Sequence, residues 1–427
     1  MILRFMACAS LLSMGAFAAP GVSFHKDIEP ILQARCQECH RSGEIGPMPL
    51  MTYQQARPWA KAIRASVVEG KMPPWPINPH YGKFANDRSL SKEQIDLFTA
   101  WVDNGAPEGN SADAPSPRKW IDGWNIPTPD AVLETPSFDM PASGRVEYQY
   151  IVVPTGFTED KWIQMAEVRP GDRTIVHHAQ IFVREPGSKW LADVKPRVPF
   201  SFELSPSPTQ RLVNGSSMGS EILIIYTPGM VPDVWKPGTA KLIPAGSDLV
   251  FQMHYTASGK PGKDRTRLGL VFAKEPPKER VFTMLGVNTQ ISIPPGDANY
   301  RAETIIPITH DMTMLTLFPH MHLRGKAFQY ELIYPTGESE TLLKVDKWSL
   351  SWQLSYKLQK PIDLKPGMKI KATGWWDNSP NNPANPDATS NVTWGEQSWE
   401  EMLVGFFDVA VDPKLAPRTV HSTRGSE

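Results

Sequence analysis

Thr174-Ile175-Val176-His177-His178-Ala179-Gln180-Ile181-Phe182-Val183 is an apolar, β-branched run with two adjacent imidazoles at its centre. Its composition predicts a buried strand, where an imidazole is costly to bury unless something binds it. Neighbouring strand residues point to opposite faces, so His177 and His178 can meet one ion only where the backbone bends or bulges. Outward from this run, Glu147-Tyr148-Gln149-Tyr150-Ile151-Val152-Val153 and Ile222-Leu223-Ile224-Ile225-Tyr226 are further strand-like segments bounded by Pro and Gly clusters. The chain has 42 prolines, concentrated after position 105, which disfavours long helices there and favours strands joined by turns. The region from 120 onward is therefore expected to form antiparallel sandwiches. Lys274-Glu275-Pro276-Pro277-Lys278-Glu279 divides it into 120–275 and 280–412, each the size of one all-β jelly-roll-like domain, with a tail over 413–427.

Five of the ten histidines fall in three compact groups within this β-rich part. His254 lies in Leu249-Val250-Phe251-Gln252-Met253-His254-Tyr255, a second strand of the same half as His177 and His178. Three imidazoles suit copper or zinc. In the second half, Phe318-Pro319-His320-Met321-His322-Leu323 places two histidines at i and i+2, which a strand projects from one face. Taken singly, each reads more readily as a hydrogen-bonded or surface residue. Their combination points to metal.

The N-terminus has a different character. Arg4, an apolar run through Leu11-Leu12-Ser13-Met14-Gly15, and Ala16-Phe17-Ala18 predict a signal peptide over 1–18, cleaved after Ala18, and a periplasmic or secreted protein. No later stretch reaches ~20 uncharged apolar residues, so no membrane span is expected in the mature protein. Cys8 falls inside the signal, which leaves Cys36 and Cys39 and no structural disulfide. Both belong to Cys36-Gln37-Glu38-Cys39-His40, whose two thiols and following imidazole predict a covalent haem c with His40 as an axial ligand.

Helix signals surround the motif. Ile28, Ile31 and Leu32 share a face, Trp59, Ala60, Ile63 and Val67 repeat at helical spacing, and Ser91 with Gln94 forms a capping box before Ile95, Phe98, Trp101 and Val102. Three helices around a haem resemble a class I cytochrome c. The expectation is an N-terminal all-α class I cytochrome c domain over 19–110 and a linker over 111–119, marked by Asn110-Ser111-Ala112-Asp113-Ala114-Pro115-Ser116-Pro117. The sixth iron ligand is expected at Met72, with His80 as the alternative, and Met48 and Met51 are expected against the ring edge.

The β-rich part resembles the copper type II, ascorbate-dependent monooxygenases, the family of peptidylglycine alpha-hydroxylating and dopamine beta-monooxygenases. The matching segments, in order, are His177-His178, the Gln252-Met253-His254-Tyr255 strand, His320-Met321-His322 followed by Gly325-Lys326, and Glu400-Glu401-Met402. The resemblance spans roughly residues 120 to 412 and implies two jelly-roll-like domains with one copper each. It implies that His177, His178 and His254 bind an electron-transfer copper, and that His320, His322 and Met402 bind the oxygen-activating one. Met312, Met314 and Met321 are fallback thioethers. A thioether beside two imidazoles favours Cu(I), and three imidazoles tolerate both oxidation states. Where the amidating member clamps a carboxylate with Arg, Asn and Tyr, this chain has Phe318, Val404 and Phe406. A neutral or aromatic substrate is therefore expected rather than a peptidylglycine. Trp375-Trp376-Asp377-Asn378-Ser379-Pro380 resembles a loop near the oxygen-activating site and reads equally well as a turn cluster.

The formal net charge of -1, without long like-charged runs, argues against nucleic acid or an anionic membrane as the main partner. The expected partners are a small organic substrate, O2 and a periplasmic electron donor. The functional expectation is an O2-dependent monooxygenase with two copper ions, supplied with electrons through the haem. The alternative is a non-enzymatic haem and copper electron-transfer or copper-binding protein.

Overall fold

The computed structural model describes residues 21–121, 123–202 and 221–415. The expected signal peptide and the end of the tail lie outside the described residues. The chain divides into two compact units: 1–42, 46–73 and 89–118 in the first, and 43–45, 74–88 and 119–427 in the second. No helix of the described residues is long and apolar enough to cross a membrane.

The first unit carries α1 (Glu29–Arg35), α2 (Tyr53–Ala56), α3 (Ala60–Val68) and α4 (Lys92–Asp103). On α4 the side chain of Ser91 accepts from the Gln94 backbone while Gln94 reaches back to the Ser91 N–H, and Gly105 follows at φ 83°, where glycine carries no Cβ penalty. Phe98 and Trp101 of α4 pack fully buried against Phe24, Ile28 and Leu32.

The expected all-α class I cytochrome c domain is not what these residues build. The helices are short, the longest having twelve residues, and the regular structure of the rest of the described chain is β-strand. The physical reason lies between α3 and α4. Pro73, Pro74, Pro76 and Pro79, with Gly70 and Gly82, cannot continue a helix. Residues 74–88 belong instead to the β unit, where Ile77 bridges to Val345 and Phe84 to Leu358.

The second unit also departs from two separate sandwiches. It has a core on either side of the Pro276-Pro277 divide, one around Ile163, Ile181, Phe251 and Leu268, the other around Phe282, Leu317, Tyr330 and Val409. A fully buried side chain of this kind contributes about 1.5–3 kcal/mol. One nine-stranded sheet, however, runs through both halves, from Ala131–Glu134 at one edge to Tyr356–Leu364 at the other. It passes the divide where Thr239–Ile243 pairs parallel with Glu279–Val287, which pairs in turn with Val404–Val411. Two four-stranded sheets complete the layers. One comprises Gln149–Pro154, Asp248–Tyr255, Val176–Arg184 and Glu221–Tyr226; the other Tyr300–Pro307, Lys369–Trp376, Gly325–Ile333 and Ser339–Val345. A third apolar cluster, with Tyr148, Phe182, Phe318, Val404 and Phe406, draws on both halves.

Candidate metal centre and cavity

The first four-stranded sheet positions three histidines. His178 stands directly opposite His254 in the antiparallel register of Val176–Arg184 with Asp248–Tyr255, and the register shifts between Val176 and His178. That irregularity turns His177 toward the face of its neighbour. The Nδ1 atom of His178 lies 3.2 Å from His177 Nδ1 and 3.4 Å from His254 Nδ1. One potential ligand atom from each residue falls within 4.8 Å of the others, a spacing suited to one ion.

His320 and His322 are brought together differently. The strand Met312–His320 ends at the first histidine, and the second lies in the turn that follows, so the i, i+2 strand geometry expected for the pair is not used. Their ring centroids are 5.1 Å apart, with the rings at 89°. The turn is pinned by Glu401, which accepts from His322 N at 2.9 Å, Arg324 N at 2.6 Å and Trp376 Nε1 at 2.9 Å. Desolvation raises the Glu401 carboxyl to about 7, and these three bonds oppose the rise. His320 Nδ1 donates to Gln353 Oε1 at 2.6 Å, which directs its Nε2 elsewhere. His322 Nδ1 donates to the Glu400 carbonyl at 3.3 Å, and its Nε2 is buried without a hydrogen-bond partner. An orphaned buried ring nitrogen is costly, and a bound cation would remove that cost.

The two groups meet. The His178 and His320 ring centroids are 6.2 Å apart. Burial pushes every one of the five imidazoles below its ordinary basicity, His254 to about 3 and His320 to about 4. The charges also act across the groups: His320 depresses His178 and His254, and His177 depresses His320. All five are thus kept neutral, the form that binds a metal.

His178, His320 and Met402 line one cavity of about 800 Å³. Phe318, Val404 and Phe406 form part of its wall, with the Phe318 and Phe406 rings stacked at 5.7 Å. Met402 is half-buried there, whereas the fallback thioethers Met312, Met314 and Met321 are packed in the second core. Of these methionines, Met402 is the one that lines this cavity with His178 and His320. A polar edge was not legible in advance. Glu396 accepts from Tyr150 OH at 2.8 Å, Tyr150 accepts from Gln252 Nε2 at 2.6 Å, and burial raises the Glu396 carboxyl. Gln252, two residues before His254, follows the strand period. Glu396 and Gln353 carry no signal of their own in the sequence. Gly395 lets the Glu400 carboxyl approach: a Cβ there would lie 1.9 Å from Glu400 Cδ. The Trp375 to Pro380 loop is a scaffold, with Trp376 on Glu401 and Asn378 Oδ1 accepting from Arg324 Nε at 2.9 Å.

In the first unit, Cys36 and Cys39 are half-buried, and burial pushes the Cys36 thiol up to about 12. His40 Nδ1 donates to the Met48 carbonyl at 3.1 Å, leaving Nε2 for an axial bond. Gly46 packs where a Cβ would lie 2.8 Å from the His40 ring, so the loop can close over that edge. This arrangement fits a haem ligand. Met72 is half-buried after α3 with its N–H on the Ser66 carbonyl at 3.1 Å. His80 is exposed and lies among residues of the β unit.

Fold and site together define a β-sheet protein with a five-histidine cluster, buried at His178 and His322, beside an apolar-walled cavity. No protein family matches the chain, and no curated protein does. Among solved structures, the major capsid protein P2 of bacteriophage PM2 is similar over 66% of this chain and 98% of its own, at 9% identity and a TM-score of 0.26. A structure of the infectious bursal disease virus Gx strain is similar over 68% and 74%, at 9% identity and a TM-score of 0.19. A structure of allantoicase is similar over 56% and 81%, at 8% identity and a TM-score of 0.16. At such scores nothing of fold or function is carried over.

Proposed function

We propose that this protein is an exported haem- and copper-containing oxidoreductase, a monooxygenase that hydroxylates a C–H bond of a small apolar substrate with O2. The observation that carries the reading is one cavity shared by His178, His320 and Met402 and walled by Phe318, Val404 and Phe406. At its edge His177, His178 and His254 would hold one copper, and His320, His322 and Met402 the other. Bound copper would supply one-electron chemistry and a position for dioxygen. The residues of the chain bind and orient. Gln353 and the Glu400 carbonyl each fix one nitrogen of His320 and His322, and Phe318 with Phe406 offers a neutral ring or alkyl group an apolar wall. Among the described residues that line the cavity there is no lysine or arginine, so none of these offers a substrate carboxylate a clamp. A c-type haem on Cys36 and Cys39, ligated by His40 and Met72, would be a one-electron donor held on the same chain.

The test is oxygen uptake by reduced, copper-loaded protein offered neutral aromatic and aliphatic compounds alongside their carboxylates. Uptake with the neutral compounds, lost in Met402→Ile, is expected. If no compound stimulates uptake while the metals still cycle, the monooxygenase reading falls and an electron-transfer protein takes its place.

A further inference from the structure

The cavity of about 800 Å³ has an apolar wall at Phe318 and Phe406 and a polar row made of Gln180, Gln252 and Glu396. We propose that this row is a subsite for a hydroxyl group of the substrate, an alcohol whose hydrocarbon body lies against the two phenylalanines. This deepens the function proposed above and rests on that reading for the cavity being the substrate site.

Strand register builds the row. Gln180 lies two residues after His178 and Gln252 two before His254, so each shares a sheet face with its histidine. Gln180 stands directly opposite Gln252, and Gln252 directly opposite Tyr150, across three neighbouring strands. Glu396 reaches the row from the segment that leads to Met402, where it accepts from Tyr150 OH at 2.8 Å, and Tyr150 in turn accepts from Gln252 Nε2 at 2.6 Å. Among the described residues, Tyr150 is the sole hydrogen-bond partner of the Glu396 carboxyl, and the Gln180 side chain has none. The row therefore presents both an acceptor and an amide donor to the cavity. A hydroxyl donates one hydrogen bond and accepts others, so a single substrate oxygen answers both. A methyl group in its place leaves both unpaired. A carboxylate would stand beside Glu396 and Glu400, which also lines the cavity. An ammonium only donates, so it leaves the Gln180 N–H groups without an acceptor, and it brings a charge to be desolvated beside a carboxyl that burial already raises.

The experiment titrates the full chain, without metal, by calorimetry with four compounds that share a phenyl body: benzyl alcohol, ethylbenzene, benzylamine and benzoate. Benzyl alcohol is expected to bind tightest, about tenfold or more above ethylbenzene, as hydrogen bonds to buried polar groups provide. Glu396→Leu should remove that preference and leave ethylbenzene unchanged, whereas Glu396→Gln, which still accepts and donates, should restore most of it. Gln180→Leu should weaken the alcohol and not ethylbenzene, so the row is tested even where Glu396→Leu fails to fold. Ethylbenzene binding as tightly as the alcohol, benzylamine binding more tightly, or no binding by any of the four overturns the hydroxyl subsite. A preference for the alcohol that survives both leucine variants overturns it as well. Oxygen uptake by the copper-loaded protein separates this from the proposed function. Uptake with ethylbenzene as readily as with benzyl alcohol sinks the subsite and leaves the monooxygenase standing, and selective alcohol binding without uptake on any compound does the reverse.

Discussion

His178 and His254 face each other across two hydrogen-bonded strands, whereas His320 and His322 stand where a strand has ended and side chains from distant segments take over. The triad is built by backbone: register sets His178 opposite His254, and one irregularity turns His177 toward them. The pair is built by buttresses: Glu401 holds the turn and Gln353 the first ring. A site cut into a sheet inherits the sheet's stability, and one hung on a turn depends on each polar contact that fixes it. The two halves should therefore respond differently to substitution outside the histidines.

The largest expected effect is at Glu401. Glu401→Ala leaves the His322 and Arg324 amides and the Trp376 indole N–H unpaired in the interior, at about 1–3 kcal/mol each. A loss of at least about 3 kcal/mol in urea unfolding is expected, with the pair's copper lost and the triad's copper kept. Loss of both coppers in folded protein would break the contrast between the halves.

Acid comes next, and it strikes both halves. In metal-free protein, burial holds His254 at about 3 and His320 at about 4, against an ordinary 6.5. The unfolded chain then binds more protons than the folded one between those values. Stability is full above 6.5 and falls as pH drops through 4 toward 3. The urea midpoint of metal-free protein should fall steadily over that window. A midpoint that stays level from pH 7 to 4 would mean that the imidazoles are not buried neutral.

How much of this was legible follows the same division. The triad could be read because its signals are local: adjacent histidines in an apolar strand pose the question of a bulge, and Gln252 and His254 share a strand period. The cap of α4 was equally local, at Ser91 and Gln94. What supports the pair was not readable, because Gln353 meets His320 across 33 positions and Glu401 meets His322 across 79. Neither residue type is unusual in its own segment. The N-terminal expectation failed for a similar reason. The helix signals were real, but Pro73 to Pro79 take the chain out to bridge Val345 and Leu358, contacts that no local pattern announces.

Gln353 offers the smallest and most selective perturbation. Its Oε1 accepts from His320 Nδ1 at 2.6 Å, and its Nε2 donates at 3.3 Å to the Leu350 carbonyl, which also accepts from His177. One short segment therefore touches a ring in each half. Gln353→Leu keeps the volume and removes the acceptor, so His320 loses the bond that fixes its tautomer and orientation. Copper affinity at the pair should fall about 10–100-fold, the usual cost of removing an outer partner of a ligating histidine. The triad should change little, because Leu350 still offers His177 its carbonyl. Gln353→Glu, which keeps an acceptor at the same place, should restore most of the affinity, as a merely space-filling role would not require. Copper titration of each variant, followed by competition with a chelator, measures both halves at once. Equal weakening of triad and pair in Gln353→Leu would show that the 350–353 segment, rather than sheet register, holds His177, and the contrast between a sheet-built and a buttressed half would fail there.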